Sequence, residues 1–344
     1  MVFSFFKNLF SKSIVAIDPG SINIKVVEGI NKKDKVEIKN FGMTSLSTTL
    51  TTDTSHIFEE NLASILNKII TTAKITSKNF LFVVPANFSF FTDFTLPKIS
   101  EKSLPNAIRF EAQRFVPFSL NDVILDYRYF LQELPGEEPK YFVFITTIPK
   151  NYIQRMQSVA NLVKGKAVNF ASEIFALEKY FLNQLTTNLV VNIGHGYTIF
   201  LGIHKGQVVY AQKSQLAGNV LISSLAQVLK VNKDRAILHL KERGFYFPPE
   251  EGEVSTIVDS FFNNLGRETK RIISALEDKL VTRINQVFWT GGLTTLRGFL
   301  DKIRPNLSEY PQTILNPSDF VEGDKFKKLG EKSSIFSVCV GALI

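Results

Sequence analysis

Residues 15–27 read VAIDPGSINIKVV, and residues 190–201 read VVNIGHGYTIFL. Each is an apolar run, a glycine-punctuated turn and a second apolar run. With Asp18 set over Asn192, Gly20 falls on Gly194. This repeat constrains the fold more than any other feature, because a lone hairpin cannot bury its apolar face and needs a larger sheet. Two copies predict two sheets of related plan with a cleft between them. A length of 344 residues agrees, being too great for one ordinary core.

Each copy opens a similar series. After the first, VEIKNFGMTSL extends a meander, residues 56–74 carry apolar side chains at helical spacing, and FLFVVP (80–85) reads as a buried strand. After the second come turns at GHG and HKG, helical segments, the strand QVFWTGG, a short helix at LRGFLDKI and the apolar close SVCVGALI. The intervening piece is aromatic: FSFFTDFTLP as a strand, a helix over 101–115 capped by Ser100 or Ser103, two strands around PGEEP, and a helix ending at Gly165. The division expected is a tail at 1–12, a first α/β domain at 13–185 with an inserted subdomain at about 86–165, and a second domain at 186–344. The C-terminal segment is expected to pack back toward the first domain.

Composition narrows the setting. One cysteine, Cys339, rules out a disulfide framework and suits a reducing compartment. The four histidines never stand at metal-ligand spacing, so a structural zinc is not expected. No apolar run reaches the roughly 18 residues of a membrane span. In the tail, Val2, Phe5, Phe6 and Leu9 follow helical spacing, which allows a short amphipathic helix on a membrane surface or docking onto the protein itself. A net charge of +8 suits anionic lipid or an acidic partner, and equally an ordinary lysine-rich surface.

Tight glycine turns let a ligand approach the backbone closely and aim N–H groups at it. Ser21 and Asn23 add donors to the first turn, Lys25 a positive charge, and Asp18 a carboxylate suited to a magnesium ion held through water. Two such turns facing each other hold a polyphosphate from both sides. A third cluster, Gly291 and Gly292, removes side chains where a phosphate or flat ring must approach, and Glu268 and Arg271 share one helix face beside it.

This ordered set of turns resembles the actin, heat-shock chaperone and sugar-kinase superfamily. FFTDFTLP, the stretch NAIRFEAQRFVPFSLNDVILDYRYF (106–130), ASEIFALEKYF (171–181) and SVCVGALI are similar to the PilM family of type IV pilus assembly proteins, relatives of FtsA. The resemblance implies an actin-like fold of duplicated ribonuclease-H-like domains that binds ATP or ADP with Mg2+. It implies a partner as well: the cytoplasmic N-terminal tail of a PilN-like inner-membrane protein, held in a groove lined by Phe110, Arg114, Phe115, Pro117 and Phe118. Pilus assembly ATPases are further candidate partners. Nucleic acid is not expected. The chain would then work in the cytoplasm at the inner face of the membrane.

By residue, the resemblance puts Asp18, Gly20, Ser21, Asn23 and Lys25 on the first phosphate turn. Asn192, Gly194, His195, Gly196, Tyr197 and Thr198 fall on the second, with Gly218 after it. Gly291 and Gly292 fall on the adenosine motif, and Glu268 and Arg271 on the helix facing the base. Glu173 matches a glutamate that positions water in hydrolytic relatives. Asn192 departs from the superfamily's usual aspartate, which predicts weak or absent hydrolysis with nucleotide binding retained. Alternatives are a small-molecule kinase, an FtsA-like division protein and a type II secretion component. The apolar, aromatic insertion suits a peptide better than a polar substrate.

Overall fold

The computed structural model describes residues 12–344 except 33–34, 46–56, 134–135, 137 and 248–251. The amphipathic reading of Val2 to Leu9 therefore lies outside the described residues.

The first repeat folds as β1 (Ile14–Pro19) and β2 (Asn23–Asn31), and β3 (Val36–Ser45) continues the antiparallel meander. Its unbroken apolar run buries β1 on both faces. Helix α1 (Ile57–Thr72) leads to β4 (Asn79–Val84), which runs parallel to β1. The aromatic piece that follows builds a separate three-stranded sheet from β5 (Phe91–Pro97), α2 (Leu104–Ala112), β6 (Val123–Gln132) and β7 (Lys140–Pro149), in the order β5-β7-β6. Leu104, Ile108 and Ala112 recur every fourth residue and bury one face of α2 against Phe94, Val143 and Ile145. This helix is shorter than the 101–115 expected. Ser103 makes no side-chain cap; its Oγ lies 2.9 Å from Ser100 Oγ, and Pro105 occupies the first turn.

Helix α3 (Lys150–Leu162) returns the chain to β8 (Lys166–Ser172), parallel to β4, and α4 (Glu173–Glu178) starts directly from it. The second repeat forms β9 (Thr187–Ile193), β10 (Thr198–His204) and β11 (Gln207–Ser214). Helices α5 (Gly218–Val228), α6 (Lys233–Arg243) and α7 (Gly252–Leu280) precede β12 (Gln286–Gly291), α8 (Phe299–Ile303) and β13 (Gln312–Ile314). The chain closes with β14 (Val321–Glu322), α9 (Asp324–Lys327) and α10 (Ser337–Leu343).

Strand order exposes the duplication. The larger sheet runs β14-β3-β2-β1-β4-β8 and the other β11-β10-β9-β12-β13, so both have a meander followed by two parallel strands. The bulges coincide too: the register slips between Glu28 and Gly29 in one copy, and between Gly202 and Ile203, the aligned pair, in the other. One apolar core unites both sheets with α4 and α10, while a second packs α1 and α3 on the first sheet. Every residue of α10 is buried. Asn31 Nδ2 donates to the carbonyls of Leu343 and Ile344 at 2.9 and 2.8 Å, and Tyr180 donates to that of Ser337 at 2.6 Å.

The small sheet is anchored from two sides. Arg128 Nε donates to buried Glu178 at 2.7 Å, with its guanidinium 3.7 Å from the Phe175 ring centroid. Lys279 of α7 pairs with Asp93 of β5.

Candidate functional site

The two hairpin turns meet. A Cβ on Gly196 would lie 3.5 Å from Ser21 Oγ, so the second turn faces the first across a narrow gap. Both turns are built alike. A Cβ on Gly20 would come within 2.8 Å of Asn23 O, and one on Gly194 within 2.7 Å of Tyr197 O, so neither position admits a side chain.

Asp18 and Lys25 stand directly opposite each other in the antiparallel register, which brings Lys25 Nζ to 2.6 Å from Asp18 Oδ2. Burial disfavours the Lys25 ammonium, but the Asp18 carboxylate outweighs it and lifts its pKa above the usual lysine value. Beneath them, Cys339 Sγ of α10 lies 3.5 Å from the Lys25 carbonyl, and burial pushes its thiol well up, so it stays protonated.

Asn192, next to the end of β9, is buried. Its Nδ2 donates to Glu173 Oε1 at 2.8 Å, while Tyr197 OH and the Ala86 amide donate to Glu173 Oε2 at 2.6 and 2.8 Å. Burial raises the Glu173 carboxyl above its ordinary range, and the Tyr197 and Ala86 bonds work against that rise. The turn is joined to α5: the amides of Gly218 and Asn219 donate to the carbonyls of Gly194 and His195 at 3.0 and 2.8 Å. Thr198 Oγ1 donates to Leu216 O at 2.7 Å. Burial, with the nearby Lys233 charge, lowers the His195 pKa, so its ring is neutral at pH 7.

Gly291 pairs with Ile193 beside this turn at φ +103°, and a Cβ there would lie 2.3 Å from Ile193 O. A Cβ on Gly292 would meet nothing within 4 Å. Ser214, opposite Thr198 in the ladder, donates to Glu268 Oε2 at 2.8 Å, which sets Glu268 near the end of the turn; Arg271 is exposed one helical turn further along α7. Both turns, Gly218, the Gly291–Gly292 pair, Glu173 and Glu268 thus converge on one cleft.

A polar ligand such as a nucleotide fits this cleft on two observations. His195 Nδ1 and Asn219 Oδ1 are buried polar atoms without a hydrogen-bond partner, and buried polar atoms ordinarily have one. The approach at Gly292 is open. Sequence reasoning missed Asn219 and the Ala86 amide. Asn219 follows Gly218 at the start of α5, a position at which the AGN triplet could have flagged it.

The predicted partner residues lie apart from the cleft. Phe110, on the outer face of α2, is 71% exposed, Phe118 is 51% and Phe115 is 41%. Phe115 stacks on Phe94 at 5.4 Å between centroids, and Phe118 sits edge-on to Phe90 at 6.4 Å. Arg114 pairs with Glu111 at 2.8 Å, and Pro117 is exposed between the rings.

A family model described as "Type IV pilus assembly protein PilM" matches residues 16–343. The chain belongs to the PilM family. Its structure is similar to that of a PilM–PilN type IV pilus biogenesis complex, with a TM-score of 0.79 at 17% identity over 96% of this chain and 97% of that one. It is similar to the ethanolamine utilization protein EutJ from Carboxydothermus hydrogenoformans (0.59, 14% identity, 96% and 89% covered). It also resembles MreB 5 of Spiroplasma citri bound to AMPPNP (0.52, 14% identity, 96% and 95% covered). The fold of this chain is therefore actin-like, as the resemblance of the ordered turns implies. Among the described residues no helix is long and apolar enough to cross a membrane.

Proposed function

We propose that this PilM-family chain is a nucleotide-holding scaffold of type IV pilus assembly. It captures the cytoplasmic N-terminal tail of a PilN-like inner-membrane protein and works at the inner face of that membrane. The carrying observation is the trio of solvent-facing rings Phe110, Phe115 and Phe118 along the flank of the small sheet. Clustered exposed aromatic surface of this kind marks a binding face. A PilM–PilN complex is among the structures of the same fold, which supports this choice of partner.

For the nucleotide, the backbone amides of Gly20–Ser21 and His195–Gly196 would face the phosphates, the Gly194 amide being bonded to the Tyr197 carbonyl at 3.0 Å, with Lys25 supplying positive charge. Gly291 and Gly292 would pass beneath the adenosine, with Glu268 and Arg271 toward the ribose and base. Asp18 would reach a cation through water. Mg2+, when bound with the nucleotide, would neutralise phosphate charge. Asn192 contributes no charge to that shell, and this favours holding over turnover.

Titration with a fluorescent ATP analogue tests the cleft: Asp18→Ala is expected to abolish binding, and equal binding by both proteins removes the assignment. A synthetic apolar peptide with the sequence of a PilN-like N-terminus tests the aromatic face. Phe110→Ala with Phe118→Ala should weaken it at least about tenfold, as the loss of two interface aromatics predicts. Phe115 stacks on Phe94 and Phe118 meets Phe90 edge-on, so Phe110→Ala alone is the variant least coupled to packing.

A further inference from the structure

Glu173 is a buried carboxylate whose three described hydrogen-bond donors are all uncharged. Ala86 follows β4 of the larger sheet, Asn192 is the penultimate residue of β9 of the other, and Tyr197 lies in the second turn. One side chain at the start of α4 therefore ties the segment after β4 to the second hairpin, and both its oxygens are spent on the tie. A buried carboxylate is expensive unless its acceptors are filled, so losing one donor affects the whole cluster. Asn192 is the only one of the three whose side chain could be replaced isosterically by a group of opposite hydrogen-bonding sense. An aspartate there would set a second carboxylate 2.8 Å from Glu173 Oε1.

We propose that Asn192 and Tyr197 are positioning residues that hold Glu173 as a tie across the cleft, keeping the second turn seated against the larger sheet so that bound nucleotide is released slowly. The inference rests on the nucleotide-holding reading, but the tie itself can be observed without ligand. The asparagine is then a working part of the site: its amide supplies the donor that an aspartate lacks.

A reciprocal exchange tests it. Asn192→Asp alone sets two carboxylates against each other, and exchange is read above the pH at which the pair would share a proton. Asn192→Asp combined with Glu173→Gln returns the pair to a single negative charge. In the double variant the carboxamide at 173 donates to the carboxylate at 192, while its oxygen still accepts from Tyr197 and Ala86. Backbone exchange at Ala86, followed by NMR or in a peptide spanning residues 83–90, reports the tie directly.

Asn192→Asp should raise exchange at Ala86 about tenfold or more, the factor expected for losing one hydrogen bond to a charged group. Release of N-methylanthraniloyl-ATP should accelerate by a similar factor, and the double variant should bring both values back toward wild type. Tyr197→Phe, which removes one donor and adds no charge, should move both in the same direction by less. The proposal is overturned if Asn192→Asp leaves exchange at Ala86 unchanged, or if the double variant exchanges no more slowly than the single. It is equally overturned if amides in the centres of β1 and β9 lose protection as much as Ala86, since the effect would then be general loss of stability. If the wild-type protein binds no nucleotide, the reading of the cleft fails, and exchange at Ala86 still decides the tie.

Discussion

The two hairpins share a backbone and differ in how they treat charge. Asp18 faces Lys25 in the first, and at the aligned positions of the second Asn192 faces Ile199. The substitutions are matched: where the lysine is replaced by isoleucine, the aspartate is replaced by asparagine. A buried carboxylate needs a cation or a set of donors, and Ile199 offers neither. The same logic recurs at the bulge, where the first copy buries Glu28 and the second has Gly202, a position at which a Cβ would lie 2.6 Å from Leu276. Duplication thus kept the turn geometry, while the two copies diverged into a charged jaw and a neutral jaw. The neutral jaw is tied to Glu173 instead.

Giving the first hairpin the residues of the second breaks the comparison most severely. Lys25→Ile alone strands Asp18 in a buried site and should cost about 3–5 kcal/mol in urea unfolding. Adding Asp18→Asn should recover most of that loss, since replacing a whole buried pair is often close to neutral, yet fluorescent-nucleotide binding should stay lost. Persistent instability of the double variant would show that the two jaws are not interchangeable solutions.

A smaller effect is expected at Glu28. Burial opposes its charge, but hydrogen bonds from Asn40, Thr76 and Ser77 outweigh it and hold the carboxyl below its ordinary value of 4.5. A carboxyl lowered in the folded state contributes stability that is complete above its unfolded value and drains away as pH falls through the folded one. Glu28→Gln should cost about 1–3 kcal/mol at pH 7, and wild type and variant should converge in unfolding titrations carried below pH 4.5.

Removing the hydroxyl that the second turn gives to Glu173 sharpens the contrast further. Tyr197→Phe should lower stability by about 1 kcal/mol in denaturant and leave the Asp18–Lys25 hairpin intact. Smallest of all is the aromatic face: Phe110→Ala, far from both hairpins and already exposed, should shift unfolding by no more than about 0.5 kcal/mol while weakening peptide binding.

Much of the architecture was legible because it is written at short range. The alternation around Asp18 and Asn192 marks two hairpins, and the four-residue recurrence of Leu104, Ile108 and Ala112 shows which face of α2 is buried and leaves Phe110 outward. The Asp18–Lys25 pair was within reach as well, since seven residues across a tight turn fix the register. Cap and end positions were less legible: Ser103 reads as a cap, yet its hydroxyl bonds Ser100.

Long-range contacts left no pattern to read. Ala86 meets Glu173 across 87 positions, and Asn31 donates to the last two carbonyls of the chain across more than 300. Sequence by itself determined the duplicated turns, the aromatic insertion and the oddity of an asparagine at 192, because local spacing dictates strand, turn and helix face. Only the tertiary structure decided what Asn192 bonds to. Its amide has meaning only beside the carboxylate that the fold delivers to it, and such partners are chosen by burial, where an unmatched donor or acceptor is too expensive to leave alone.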